Sequence, residues 1–223
     1  MKVLVLGATG RSGSATLAHL SGQVETIAAL RAEADIERLP EHLRGLPTAL
    51  VDLNDPDTLR KAARGVDVIV NAIRLRGDIR STELVDLHRT IFGAAEGPSA
   101  SVPGGPLIVT VGGAGALFQS DGTRFWQSLS FPSRALPRGR AQANLRDYLE
   151  AGYAGDRWAY LIPPPAFYPD GPATGVYRLL HPGDDEPAFA RSEISYSDFA
   201  LAVADAALVG RTGTRLVAGA AWQ

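Results

Sequence analysis

Three glycines at a three-residue spacing, in Gly7-Ala8-Thr9-Gly10-Arg11-Ser12-Gly13, are the residues here whose pattern speaks most directly of chemistry. They follow a short apolar run and open a stretch with helical patterning. Gly7 permits a tight turn, Gly10 lets backbone approach a phosphate, and Gly13 lets the helix lie close on the strand. A helix N-terminus at this point offers unpaired N–H groups and the positive end of a dipole to an anion. The chemistry is therefore binding of a dinucleotide pyrophosphate, with Thr9, Arg11 and Ser12 in the same loop. The spacing G-x-x-G-x-x-G is a variant of the commoner G-x-G-x-x-G.

Other positions bear on the ligand. Leu30-Arg31 closes the second apolar run. An acid there would hold a ribose 2′-hydroxyl, whereas arginine accommodates a 2′-phosphate. Arg31, with Arg11, favours NADP(H) over NAD(H), while Glu33 and Asp35 keep NAD(H) open. Asp52, beside Leu53, can accept from an adenine amino group or serve a helix-capping turn. Arg74 and Arg76 follow the fourth run, where they meet an anionic acceptor or are surface charge. Phe118 and Phe167 stand among loop aromatics suited either to stacking on a planar substrate or to packing. His88 is read as a satisfied core or interface histidine rather than a proton donor, and Asp184-Asp185-Glu186 as a solvated acidic turn.

The elements that must position these residues alternate. Strands are expected at Lys2–Leu6, Val24–Leu30, Thr48–Val51, Val66–Val70, Leu107–Val111 and Trp158–Ile162, and a last one at Arg215–Ala218. Helices are expected at Ser12–Leu20, Asp55–Ala63, Thr82–Ala95, Arg138–Ala151 and Tyr196–Val209, and a loop at Gly97–Pro106. Strands apolar without alternation are buried on both faces, and strands alternating with helices make a parallel sheet. The fold class is α/β, a Rossmann-type doubly wound parallel sheet. The 223 residues form one NAD(P)-binding domain, and the irregular, proline-rich stretch from about residue 158 includes a small C-terminal substrate lobe.

Composition excludes several classes. Apolar residues make 45% of the chain and charged residues 21%, which is ordinary globular composition. Lys plus Arg is 22 and Asp plus Glu 24, a net charge of −2, so there is no electrostatic footprint for nucleic acid or an anionic membrane. With no cysteine, thiolate metal sites and cysteine nucleophiles are excluded. No apolar run approaches a membrane span. A cytoplasmic protein binding small molecules is expected, with no metal; the oligomeric state is open.

The glycine loop resembles that of the atypical short-chain dehydrogenases/reductases. With Val70-Asn71-Ala72-Ile73, Val109-Thr110-Val111-Gly112-Gly113-Ala114-Gly115, Trp158–Pro165 and Ile194–Ala200, the chain is most similar to the NmrA-like branch that includes NADH-flavin and biliverdin/flavin reductases. The resemblance spans nearly the whole chain. It implies that Asn71–Ile73 and Val111–Gly113 border the nicotinamide ribose and that Pro163–Phe167 lies over the nicotinamide. The wider superfamily uses a Tyr-x-x-x-Lys pair on the helix after the fifth strand and a Ser or Thr at the end of that strand. Laid on that pattern, Leu136 takes the Tyr slot, Arg140 the Lys slot, and Gly112-Gly113 the Ser/Thr place. Arg140 remains charged and can hold a phosphate or ribose, but no tyrosine is there to be activated.

No catalytic acid is therefore assigned. Ketone reduction needs an acid or oxyanion donor, whereas a flavin or quinone ring delocalises the incoming electron pair and takes its proton from solvent. The expected activity is NADPH-dependent reduction of a flavin or quinone-like planar acceptor. The alternatives are a cofactor-binding redox sensor without catalysis, or a repurposed scaffold enzyme.

Overall fold

The computed structural model describes residues 1–96 and 105–220; most of the expected loop at Gly97–Pro106 lies outside them. The chain runs β1 (Lys2–Leu6), α1 (Arg11–Leu20), β2 (Glu25–Leu30), β3 (Thr48–Leu50), α2 (Pro56–Ala62), β4 (Val68–Asn71), α3 (Glu83–Ala95) and β5 (Leu107–Val111). It continues through α4 (Leu136–Glu150), β6 (Trp158–Ile162), β7 (Ala166–Tyr168), β8 (Tyr177–Leu180), α5 (Glu186–Phe189), β9 (Glu193–Ser195), α6 (Tyr196–Leu208) and β10 (Gly213–Gly219).

Eight strands form one sheet in the order β3-β2-β1-β4-β5-β6-β10-β8. Every pairing in it is parallel except that of β10 with β8. The chain leaves β1 in one direction to β2 and β3, and returns to the other side for β4. Loops at the C-terminal ends of β1 and β4 therefore part there, which is where ligands bind in open α/β sheets.

The apolar runs are continuous because both faces are covered. Leu4, Leu6, Ile69, Ile108, Tyr160 and Ile162 point into one core, shared with Leu87 and Ile91 of α3 and Leu145 and Leu149 of α4. Val3, Val5, Val70, Val109 and Leu161 point into the other, with Leu17 and Leu20 of α1 and Phe199 and Val203 of α6. Fully burying one such side chain stabilises by roughly 1.5–3 kcal/mol.

Helix ends follow local chemistry. Asp55 accepts from the Asp57 N–H at 3.0 Å, with Pro56 in the first turn of α2. Ser195 caps α6 through the Asp198 N–H at 3.1 Å. Past α4, Gly152 has φ +82°, a conformation that glycine adopts without strain. That helix starts at Leu136, two residues before the expected Arg138, because Pro137 is accommodated in its first turn. From Trp158 onward, β6, α6 and β10 belong to the main sheet and its helical layer, while β7 and β9 pair separately.

Candidate active site

The first end of the cleft is the turn between β1 and α1. Gly7 has φ +74°, and a Cβ there would lie 2.6 Å from the Ala72 carbonyl oxygen. A Cβ at Gly13 would lie 2.2 Å from the Gly7 carbonyl oxygen, so helix and turn touch through bare backbone. The N-cap Gly10 brings no side chain to the first N–H groups of α1, and the first turn carries no acid. This backbone cradle fits a pyrophosphate: it is uncapped, bare of Cβ atoms at its three glycines, and at the positive end of a helix dipole. Thr9 and Ser12 are half-buried in it, and Arg11 is exposed.

At the end of β2, Arg31 is exposed and has no carboxylate partner among the described residues. Asp35, which kept NAD(H) open, is engaged with local groups. Its carboxylate accepts from the Ala32 N–H at 3.3 Å and the Arg38 guanidinium at 2.9 Å. The hydrogen bond from Arg38 holds Asp35 below the usual carboxylate range. Asp52 Oδ1 accepts from the Asn54 N–H at 2.9 Å and from Asn54 Nδ2 at 3.0 Å. Of the two readings for Asp52, this oxygen serves the turn, and Leu53 packs on the core.

The second end gathers the ends of β4, β5 and β6. Asn71 is buried, and its Oδ1 accepts from the Ile73 N–H at 3.2 Å, bending the chain out of the sheet. The Ala72 N–H reaches the Leu6 carbonyl at 3.0 Å and the Gly112 N–H the Leu161 carbonyl at 2.7 Å, so these turns are continuations of the ladder. Val111, Gly112 and Gly113 are half-buried, and Pro163 is buried where β6 ends.

Gly112 and Gly113 form a shelf, with no room for a side chain at the first and a tight fit at the second. A Cβ at Gly112 would lie 2.7 Å from the Leu161 carbonyl oxygen and 2.9 Å from Tyr160 Cζ. A Cβ at Gly113 would lie 3.2 Å from Gln142 Cγ. Tyr160, fully buried beneath, donates to Gln142 Oε1 and lies 3.2 Å from the Gln142 carbonyl oxygen. Burial raises its phenol well above the ordinary value, opposed in part by Arg146 and the Gly113 N–H.

The α4 side chain against the shelf is therefore Gln142 and not Arg140. Two residues on a helix are about 200° of rotation apart, and Arg140 is exposed with no partner among the described residues. The depth of α4 is set by a backbone contact: a Cβ on Gly115 would meet Gly139 Cα at 2.5 Å. Counting along the sequence cannot detect that contact.

One turn before Gln142, Arg138 is half-buried. Burial, then the charges of Arg74 and Arg134, lower its guanidinium below the ordinary value. Arg74 is thus brought together with two cations that the motifs did not single out. Phe118 is taken up elsewhere: the Arg124 guanidinium lies 3.6 Å from its ring centroid, and its N–H donates to Glu186 Oε2 at 2.7 Å. Phe167 stacks on Tyr196 with ring centroids 3.9 Å apart and also meets Phe199. Phe167 is engaged in packing, whereas Phe118 stays exposed with a guanidinium over its ring.

The acidic turn is corrected in part. Asp184 and Asp185 cap local N–H groups, but Glu186 is buried and pairs with buried Arg146, with Nη2–Oε1 2.7 Å. Burial raises the Glu186 carboxyl, yet the hydrogen bonds and charge of Arg146 together with the Phe118 and Gly183 N–H groups outweigh this and hold it below its ordinary value. Arg146 and Arg124 both donate to the Ala116 carbonyl, bracing the segment after the shelf. His88 is buried, but against the expectation of a satisfied histidine neither ring nitrogen has a hydrogen-bond partner among the described residues, and burial lowers it to about 4. Among the described residues no helix is long and apolar enough to cross a membrane, and no group of three potential ligands gathers for a metal.

A family described as NAD(P)H-binding matches residues 7–208. Among solved structures, one from Streptococcus pneumoniae TIGR4, named as a candidate NADH-flavin reductase, superposes with TM-score 0.77 at 22% identity over 98% of this chain and 99% of that one. A candidate epimerase from Bacteroides thetaiotaomicron gives 0.76 at 26% identity, covering 98% and 96%. An anaerobillin reductase from Escherichia coli O157:H7 gives 0.66 at 18% identity, covering 100% and 99%.

Proposed function

Since the chain belongs to the NAD(P)H-binding family, we propose that it is an NADPH-dependent reductase that passes a hydride to a flavin or quinone-like planar acceptor. When bound, the reduced nicotinamide supplies the hydride. The observation that carries the reading is the character of the shelf end. Its surface is Gly112 and Gly113, its flanking side chain is the neutral amide of Gln142, and the Tyr160 hydroxyl beneath is buried and committed to Gln142. None of these can deliver a proton at neutral pH. The two lysines of the chain, Lys2 and Lys61, lie on β1 and α2, so no Tyr-x-x-x-Lys pair exists on α4. A flat surface without an acid suits an acceptor whose ring spreads the incoming charge, the proton coming from water.

The other residues fall into roles around that step. The cradle Gly7–Gly13, with Thr9 and Ser12, holds the pyrophosphate. Arg31 and Arg11 hold the 2′-phosphate, a choice supported by the engagement of Asp35 with Arg38. Asn71, Ala72, Ile73 and Val111 border the nicotinamide ribose, and Pro163 closes the site from β6. Arg74, with Arg134 and Arg138, faces the acceptor and suits one carrying an anionic group. The names of the Streptococcus and Escherichia structures support a reductase.

The same lack of an acid suits a chain that binds NADPH and does no chemistry, and one assay separates the two. NADPH oxidation with FMN as acceptor, followed by loss of nicotinamide absorbance, is expected to saturate in both substrates. Absence of turnover in a sample that binds NADPH would select the sensor.

A further inference from the structure

Gln142 is a polar side chain with only half of its hydrogen-bonding capacity spent. Its Oε1 accepts from the Tyr160 hydroxyl. That hydroxyl is itself fixed, fully buried and with the Gly113 N–H against it. Oxygen being the end that is held, Nε2 is the end that remains. It has no partner among the described residues and lies 3.6 Å from where a Cβ on Gly113 would be. The Gly113 position has no Cβ, so nothing in the residue itself stands between the amide and whatever rests on the shelf. An amide oriented by a buried phenol has its donor direction set before any ligand arrives, which is the condition for useful stabilisation of developing charge.

We propose, building on the reductase reading above, that Gln142 binds the acceptor: its Nε2–H donates to a carbonyl oxygen conjugated with the reducible ring. The two electrons that enter such a ring with the hydride place negative charge on that oxygen and the atoms conjugated with it, and the anion then takes a proton from water, at the oxygen in a quinone and at the adjacent ring nitrogen in an isoalloxazine. Gln142 shares a hydrogen in this step and gives none up, so atoms and charge balance with water as the acid. The substrate class is thereby narrowed to planar acceptors bearing a ring carbonyl. Tyr160 is a positioning residue, acting only through the orientation of the amide.

Binding to the enzyme–NADP⁺ complex tests this. The probes are lumiflavin, an isoalloxazine with ring carbonyls and no phosphate, and methylene blue, a planar dye with no oxygen. Gln142→Leu should weaken lumiflavin about 10-fold, the loss of one hydrogen bond, with methylene blue and NADP⁺ affinities unchanged. Tyr160→Phe should weaken lumiflavin by a smaller factor, again without moving the dye. Equal weakening of both probes would make Gln142 a packing residue and overturn the proposal. Weaker NADP⁺ alone would reassign the amide to the cofactor and overturn it as well. Wild-type protein that binds NADP⁺ and methylene blue but not lumiflavin would overturn the carbonyl assignment alone. Wild type that binds NADP⁺ but neither probe would overturn the planar-acceptor reading with it.

Discussion

At the β1–α1 turn the closest approaches are of backbone to backbone: Gly10 and Gly13 to the Gly7 carbonyl, and Gly7 to the Ala72–Ile73 peptide. At the Gly112–Gly113 turn the groups that shape the surface come from elsewhere in the chain, Gln142 of α4 and Tyr160 and Leu161 of β6. The phosphate end is made of backbone and needs little beyond its own seven residues. The shelf end is made of side chains carried on a helix whose depth is set by contacts 24 residues apart, Gly115 against Gly139. Binding a phosphate asks for N–H groups, which every residue but proline supplies. Choosing an acceptor asks for particular side chains, and these must be delivered from several elements.

Variants that separate the ends test the comparison. Gly13→Ala should be the most damaging to cofactor binding, because its Cβ has no space against the Gly7 carbonyl. Overpacking of this kind costs about 1–3 kcal/mol, and the cradle is displaced with it. Loss of NADPH binding in a titration, with a lowered melting temperature, is the expected result. Intact binding would mean that the cradle is looser than its geometry.

Glu186→Ala breaks the brace behind the shelf. It leaves Arg146, 1% exposed, with Glu150 as its remaining carboxylate partner, and removing one member of a buried pair costs about 3–5 kcal/mol. Urea unfolding should show that loss. In the fraction that remains folded, NADPH affinity should stay within about twofold of the wild type, because the phosphate end does not depend on the brace.

His88 links the shelf-side core to pH. Its folded value of about 4 lies below the ordinary 6.5, so the buried ring is neutral when folded and gains a proton on unfolding. The associated stability is complete above about pH 6.5 and is lost as pH falls toward 4. A displacement of this size corresponds to about 3 kcal/mol. Melting curves between pH 8 and pH 4.5 should show it, and His88→Leu should flatten the dependence. A variant as acid-sensitive as the wild type would remove His88 as the cause.

Arg31→Ala should leave NADH kinetics unchanged and raise the KM for NADPH roughly 10-fold, the order expected for one charge-assisted contact of about 1.5 kcal/mol. An unchanged preference would move the 2′-phosphate away from the end of β2. Arg140→Ala should have the smallest effect, within about 0.5 kcal/mol in stability and without change in either KM. A larger effect would restore to Arg140 the position now given to Gln142.

Much of this molecule follows from local rules. The strand runs of Val, Leu and Ile are continuous because both faces of a parallel sheet are buried, so β1, β4, β5 and β6 were legible to within about two residues. The form of the Gly7–Gly13 loop was legible because glycine spacing records a backbone conformation directly. Charge pairing was less so. Asp184, Asp185 and Glu186 form one acidic run, yet two of them cap turns while the third is buried against Arg146, 40 residues earlier. Nothing in the run distinguishes Glu186, since its partner is distant in sequence.

The sequence by itself determined the doubly wound sheet and the backbone form of the Gly7–Gly13 turn, because periodicity and glycine conformation act over a few residues. Only the tertiary structure decided which α4 side chain meets Gly113, and that Asp35 is spent on Arg38 while Arg31 is not. Those outcomes depend on how far a helix slides along a sheet and on which way a side chain turns. Both are set by close contacts between segments that the order of residues does not bring together.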